Sequence, residues 1–362
     1  VRSIPFILFI ALFFHSQTFA QAEKFILIGN RPRTFYGLKK VWNPEWFQGN
    51  KKNKNYFEGW YFKVVSEDGA TRYAFIPGVS LGKDEHSFIQ VINGKTGKTE
   101  YFRFPLSDFS YSDRRFAARV GENFFSADSF YVDLGEGEGR ISAYVRHSNI
   151  VRYPIRFFSP GIMGWYRFVP FMECFHGVVS LNHSLTGNLS LGNQTVSLEG
   201  GKGYIEKDWG KSMPSAWVWT QSNNFEGFPD ASFMLSVANI PWLGNSFTGF
   251  LGYLYANGQL YRFATYTGAK IKEFETEGDE VRIVINSKQF TIEFKGLKGT
   301  RGELLAPVGG EMERTIHESI DATISVKLMD KKGNVLFEAE SPIAGLELVG
   351  DVTGLKPKKQ TN

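Results

Sequence analysis

The chain carries one cysteine, Cys174, so no internal disulfide can form and stability has to come from burial. Long helical hydrophobic periodicity is absent, which leaves out helix bundles. Net charge is also scarce. The formal value is +4, or +3 without Arg2, too small and too dispersed for a nucleic-acid binder. The densest basic spot, Lys51-Lys52-Asn53-Lys54, reads as a solvated loop. The apolar run Ile4 to Phe14 is too short to serve comfortably as a permanent bilayer span. No cysteine stands at the step that follows it, so nothing there points to lipid attachment.

That same run is informative as a leader. Arg2, the apolar stretch and the small-residue ending Thr18-Phe19-Ala20 form a basic, then apolar, then cleavable pattern. Residues 1–20 are therefore expected to be a signal peptide, and the protein exported to a periplasm or secreted. The remaining length is ample for one large domain or two ordinary ones.

What is plentiful is aromatic and turn-forming. Aromatics make up 16% of the chain, with 34 Phe, 15 Tyr and 8 Trp beside 38 Gly, a combination that favours pleated surfaces joined by tight turns. Short alternating segments recur from Asn55–Val65 to Asn334–Ala339, with turn signals such as Asn93-Gly94 and Asn257-Gly258 between them. Pro160 to Pro170 interrupts the spacing and marks a loop or a change of domain. The fold class expected is all-β, a sandwich or barrels, and the length suits two β-units better than one. Each half carries an acid–Trp strand, Glu58-Gly59-Trp60 and Asp208-Trp209-Gly210, a faint sign of duplication.

The densest chemistry lies between Gly203 and Asn223. If Tyr204 to Trp209 is extended, Tyr204, Glu206 and Asp208 share one face, while Ile205, Lys207 and Trp209 share the other. Trp217, Trp219 and Gln221 line up on the following strand. Carboxyls beside large aromatic walls can have their pKa raised by desolvation and so donate a proton near neutrality. The plainer alternative is a satisfied strand pair with a Lys–acid ion pair and packed tryptophans. His176 and His183 lack a convincing third ligand, and no metal is expected there.

Phe57-Glu58-Gly59-Trp60-Tyr61-Phe62-Lys63, His86-Ser87-Phe88-Ile89-Gln90-Val91 and Gly203 to Gly210 resemble the tocopherol cyclase family. So do Pro214 to Asn223, Leu304-Leu305-Ala306-Pro307 and Ala344 to Gly350. The resemblance spans roughly residues 35 to 352. It implies two tandem lipocalin-like antiparallel β-barrels packed with pseudo-two-fold symmetry, over 25–198 and 199–355. It also places the chain near carotenoid hydratases. The implied chemistry is proton addition to a trisubstituted alkene, with a phenol oxygen capturing the tertiary cation and no cofactor or metal taking part.

Such chemistry needs an acid, a dry site with aromatic faces for the cation, and an apolar cavity such as a barrel calyx supplies. Asp208, Glu206 and Glu58 are the candidate acids. Trp60, Trp209, Trp217 and Trp219 are candidate walls, and His86 and Gln221 could orient the substrate. The expected partner is a lipophilic small molecule, whether a prenylated quinol, a carotenoid or another isoprenoid, with room for a peripheral membrane contact and no nucleic acid. Two readings stand side by side: a cyclase or hydratase acting on an isoprenoid alkene, and an exported lipocalin-like carrier that performs no catalysis.

Overall fold

The computed structural model describes residues 24–356, apart from Asn53 and Leu243. The expected signal segment, 1–20, lies outside the described residues. Among them no helix is long and apolar enough to cross a membrane.

The described chain forms two large antiparallel sheets, with only short helical turns between strands. In the first, a meander starts at Tyr56–Val65 and returns at Lys202–Gly210, which pairs with the starting strand. It is open only between Thr99–Phe104 and Phe109–Ser112, whose outer edge is covered by Phe25–Leu27. In the second, the meander starts at Trp217–Ser222 and its last strand, Val335–Val349, pairs back onto it. Its opening lies between Gln259–Ala264 and Lys270–Glu277. Each meander thus opens after its fourth strand, which gives the two barrels their pseudo-equivalence.

Each sheet curls because its two free edges share one core. Ile89, Phe102 and Phe104 on one side of the first seam pack in the same cluster as Phe109, Tyr111 and Val120 on the other. Phe263 and Phe274 do the same in the second barrel. Both barrel interiors are filled by side chains, so neither is a hollow calyx.

A third apolar cluster lies between the barrels and joins Tyr61, Val178 and Tyr204 to Trp217, Trp219 and Ile316. Strands that border it are buried on both faces. In Tyr56–Val65, Trp60, Phe62 and Val64 point into the first barrel, whereas Tyr61 points to the second. That double burial is why this segment reads as a continuous apolar run rather than a clean alternation.

Two expectations need correction. The division between barrels falls between Gly210 and Trp217, not at 198/199, because the Lys202–Gly210 strand completes the first sheet. The two acid–Trp strands are not equivalents from the two halves. They are neighbours in one sheet, with Trp209 opposite Glu58 and Asp208 opposite Gly59. Cys174–Leu191 is one long strand, bent at register shifts around Ser180, and its end forms a hairpin with Gln194–Ser197. Pro160 to Pro170 is a connecting strap within the first barrel's chain, not a domain boundary.

Candidate active site between the barrels

Alternation along Lys202–Gly210 places Tyr204, Glu206 and Asp208 on the side that faces the second barrel. On the adjacent strand His176 sits opposite Asp208, and Nδ1 lies 2.9 Å from Asp208 Oδ1. Its Nε2 lies 3.3 Å from Glu206 Oε2. The same Glu206 oxygen accepts hydrogen bonds from Tyr204 Oη at 2.6 Å and Trp219 Nε1 at 3.3 Å. Burial opposes the charge on His176, but the two carboxylates outweigh it and raise its pKa to about 10, so the ring stays protonated near neutrality. The ligand atoms of His176, Glu206 and Asp208 all lie within 4.8 Å of one another, a spacing that also suits a cation. The donors already aimed at both carboxylates describe a proton-sharing triad.

The second barrel supplies two further acids. Glu318 and Glu347 are cross-strand partners on Glu311–Asp330 and Val335–Val349, and Trp219 is the next partner of Glu347. The row Trp219–Glu347–Glu318 therefore presents one indole and two carboxyls on the same outer face. Gly345 makes room for this row: a Cβ there would stand 2.6 Å from the Trp219 ring. Tyr61, from the first barrel, donates to Glu318 Oε1 at 2.5 Å, and Trp217 Nε1 donates to Glu347. Burial first, then the charge of Glu347, raises the Glu318 carboxyl well above its usual range. Burial, opposed by the Trp217 N–H and reinforced by Glu206 and Asp208, raises Glu347 to about 7.

These groups border a cavity of about 190 Å³ between the barrels. Apolar cavities of roughly 150 Å³ take a benzene ring, so this space admits a ring or a branched hydrocarbon head. Trp217, Trp219, Leu304 and Ile316 form its apolar wall, and Met163, Tyr166 and Met172 from the strap wall another side. Gly59 leaves open space beside Asp208, since a Cβ there would meet nothing closer than 3.7 Å. The arrangement couples carboxyls of raised pKa to a mostly apolar space with indole and phenol faces, which can protonate carbon and stabilise a cation.

The sequence candidates divide. Asp208, Glu206, Trp217 and Trp219 meet at the cavity. Glu58, Trp60 and Trp209 do not line it, because they lie on the other side of the same sheet. Glu58 is wholly buried, 2.5 Å from Lys207 Nζ, and accepts from the backbone N–H groups of Gln48 and Gly49 and from Tyr56. Lys207 Nζ also sits 4.8 Å from the Trp60 ring centre and 4.9 Å from that of Trp209. Here the plainer reading, an ion pair among packed tryptophans, is what the structure contains. His86 is tied to Tyr101 Oη at 2.6 Å and to the Asp84 carbonyl at 2.7 Å, away from the cavity. Gln221 does face the other barrel, but its Oε1 accepts from Lys63 at 3.2 Å and it does not line the space.

Sequence reasoning missed Glu318, Glu347 and Tyr61 as functional groups and weighed His176 with the wrong partner. His183 bonds Ser180 at 2.8 Å and stacks near His147 rather than joining His176. Glu347 lay within the quoted Ala344 to Gly350 motif, where its position opposite Trp219 could have been suspected. Glu318 carried no comparable signal.

A sequence model of the family described as tocopherol cyclase-like matches residues 146–350, more than half of the chain. The chain is 22% identical to a probable chloroplastic tocopherol cyclase from Oryza sativa subsp. japonica over 357 residues, covering 82% of this chain and 75% of that relative. It is 23% identical to the chloroplastic tocopherol cyclase of Zea mays over 198 residues, covering 52% of this chain and 41% of that relative. The crystal structure of CghA superposes with a TM-score of 0.50 at 9% identity, covering 82% of this chain and 89% of that one, a likeness of fold.

Proposed function

The chain belongs to the tocopherol cyclase-like family, and from that premise we propose that the cavity between its barrels protonates an alkene of a lipophilic, isoprenoid-type substrate. The substrate class is a prenylated quinol, which would close to a chromanol, or a related polyene, which would be hydrated. The observation that carries this reading is the pair of buried carboxyls, Glu318 and Glu347, held above their usual pKa range at the edge of an apolar, indole-walled space.

In this proposal Glu347 is the donor, since a carboxyl held up to about 7 retains its proton in a useful fraction near neutral pH. Its proton forms a C–H bond at the less substituted alkene carbon and leaves a tertiary cation. Trp217 and Trp219 present aromatic faces to that charge, and Glu206 adds a negative one. The phenol or water oxygen then bonds to the cation and releases its proton to Asp208, which His176 orients through the 2.9 Å contact. Cyclisation by this route is an isomerisation and needs no further reactant. Glu206 and Asp208, expected from sequence as donors, here become the cation-facing and proton-accepting groups.

We place this chemistry outside the cytoplasm on the strength of the N-terminal pattern alone. The test is turnover of a prenylated hydroquinone to a product of unchanged mass. Glu347→Gln should lower the rate roughly 10²–10⁴-fold while the protein stays folded. Full activity in that variant would remove Glu347 from the role.

A further inference from the structure

The strap between Arg152 and Met172 has a feature that the reaction does not use. Ile155–Arg156 pairs with Ser159–Pro160 as a two-stranded finger, and its tip is Phe157-Phe158. Phe157 is 67% exposed, Phe158 79% and, further along the strap, Phe171 75%. Trp165 and Phe168 are exposed as well, so five large aromatic rings in fifteen residues face outward. Scattered exposed apolar residues are ordinary, but five exposed aromatic rings on one short segment are a concentration of apolar surface that an interaction site would explain.

The rings are held in place rather than left loose. Trp42 stacks on Phe157 at 5.3 Å and its Nε1 donates to the Phe157 carbonyl at 2.9 Å. Tyr266 Oη donates to the Ile162 carbonyl at 2.6 Å, which ties the strap to the second barrel. Phe171 has φ 65°, a left-handed conformation uncommon for a bulky residue, and its ring still points outward.

Two further observations identify the occupant. Over residues 152–172 the strap has no acidic residue and Arg156 is exposed beside the finger, whereas Arg152 reaches Asp128 at 3.7 Å and Arg167 turns inward to Gln48 Oε1 at 2.8 Å and to the Phe175 and Trp209 rings. Aromatic tips beside an exposed arginine, on a segment without acids, have the composition of a segment seated at an anionic lipid interface. The inner side of the same strap, through Met163, Tyr166 and Met172, is a wall of the cavity. One short segment therefore separates the proposed reaction space from whatever covers its aromatic face.

We propose that this strap docks the protein on an anionic lipid surface, with Phe157, Phe158, Trp165, Phe168 and Phe171 in the interface, so that the cavity behind it is loaded from the lipid phase. The orientation rests on the cavity being a lipophilic-substrate site; the docking itself does not.

Flotation of the purified protein with phosphatidylcholine vesicles, with and without phosphatidylglycerol, tests it without any substrate. Wild type should float with the phosphatidylglycerol vesicles. The triple variant Phe157→Ser, Phe158→Ser, Phe171→Ser should bind at least about tenfold more weakly with an unchanged circular dichroism spectrum. Brominated lipid should quench wild type more than Trp165→Phe. Arg156→Glu should weaken binding to the anionic vesicles. Wild type that stays unbound to both vesicle types overturns the proposal, as does a triple variant that floats like wild type. Loss of self-association in the triple variant, with vesicle binding intact, would make the patch a contact between copies and also overturn it. Vesicle binding by a protein that turns over no alkene would sink the reaction and leave the docking standing.

Discussion

Lys207 and Glu58 are both fully enclosed, and the cost of removing them from water is offset by their pairing, by the Pro44 and Trp46 carbonyls and the Trp60 and Trp209 rings around Lys207, and by the Gln48 and Gly49 N–H groups and the Tyr56 hydroxyl around Glu58. Lys207→Met should leave a buried carboxylate without its partner and destabilise the fold by about 3–5 kcal/mol, as read from denaturant midpoints. A change near zero would mean that the pair contributes nothing. The acids of the cavity act on stability in another way. Glu347 holds its proton to about 7 when folded, against 4.5 as the ordinary value. Between those two pH values the folded chain binds more protons at this site than the unfolded chain. This group's contribution to stability therefore falls as pH rises through the window. The buried His147 and His183, whose pKa values are lowered by burial, act in the opposite sense. The difference between Glu347→Gln and wild type isolates the carboxyl. The variant should gain stability relative to wild type as pH rises from about 4.5 to 7, and a constant difference would contradict the shift.

Among the elements, the Lys202–Gly210 strand does the most, because one face holds the Glu58–Lys207 pair and the other holds Glu206 and Asp208. Its alternation was legible in the sequence, including which residues share a face, since period-two side-chain placement needs no tertiary information. What it could not convey was which face opens onto a cavity. Both are lined with acids and tryptophans, so Glu58, Trp60 and Trp209 looked as eligible as Asp208, Trp217 and Trp219. Glu318 and Glu347 were missed for a related reason: their pairing depends on the register of strands far from Trp219 in sequence. The neighbouring strand Tyr56–Val65 contributes an absence. Gly59 faces the cavity with room for a side chain. Gly59→Leu should fill that space, keep the thermal midpoint within a few degrees of wild type, and abolish substrate uptake measured by tryptophan quenching. Uptake equal to wild type would place the ligand elsewhere.

At the scale of the whole molecule, neither barrel contains the site. Their interiors are packed, and the working surface is made where their outer faces meet, with Tyr61 reaching from one barrel to Glu318 of the other. The all-β architecture and the two-barrel arrangement followed from strand spacing and the family resemblance, whereas the location of the hollow between the barrels required their docking. The account therefore stands on protonation of carbon in that shared space. The most direct measurement is to incubate the protein with a prenylated hydroquinone in deuterated water and examine the product by mass spectrometry and NMR. The account predicts a chromanol carrying one non-exchangeable deuterium on the former alkene carbon, formed faster below about pH 7 than above it. Recovery of the unchanged quinol, bound but free of carbon-attached deuterium, would contradict it.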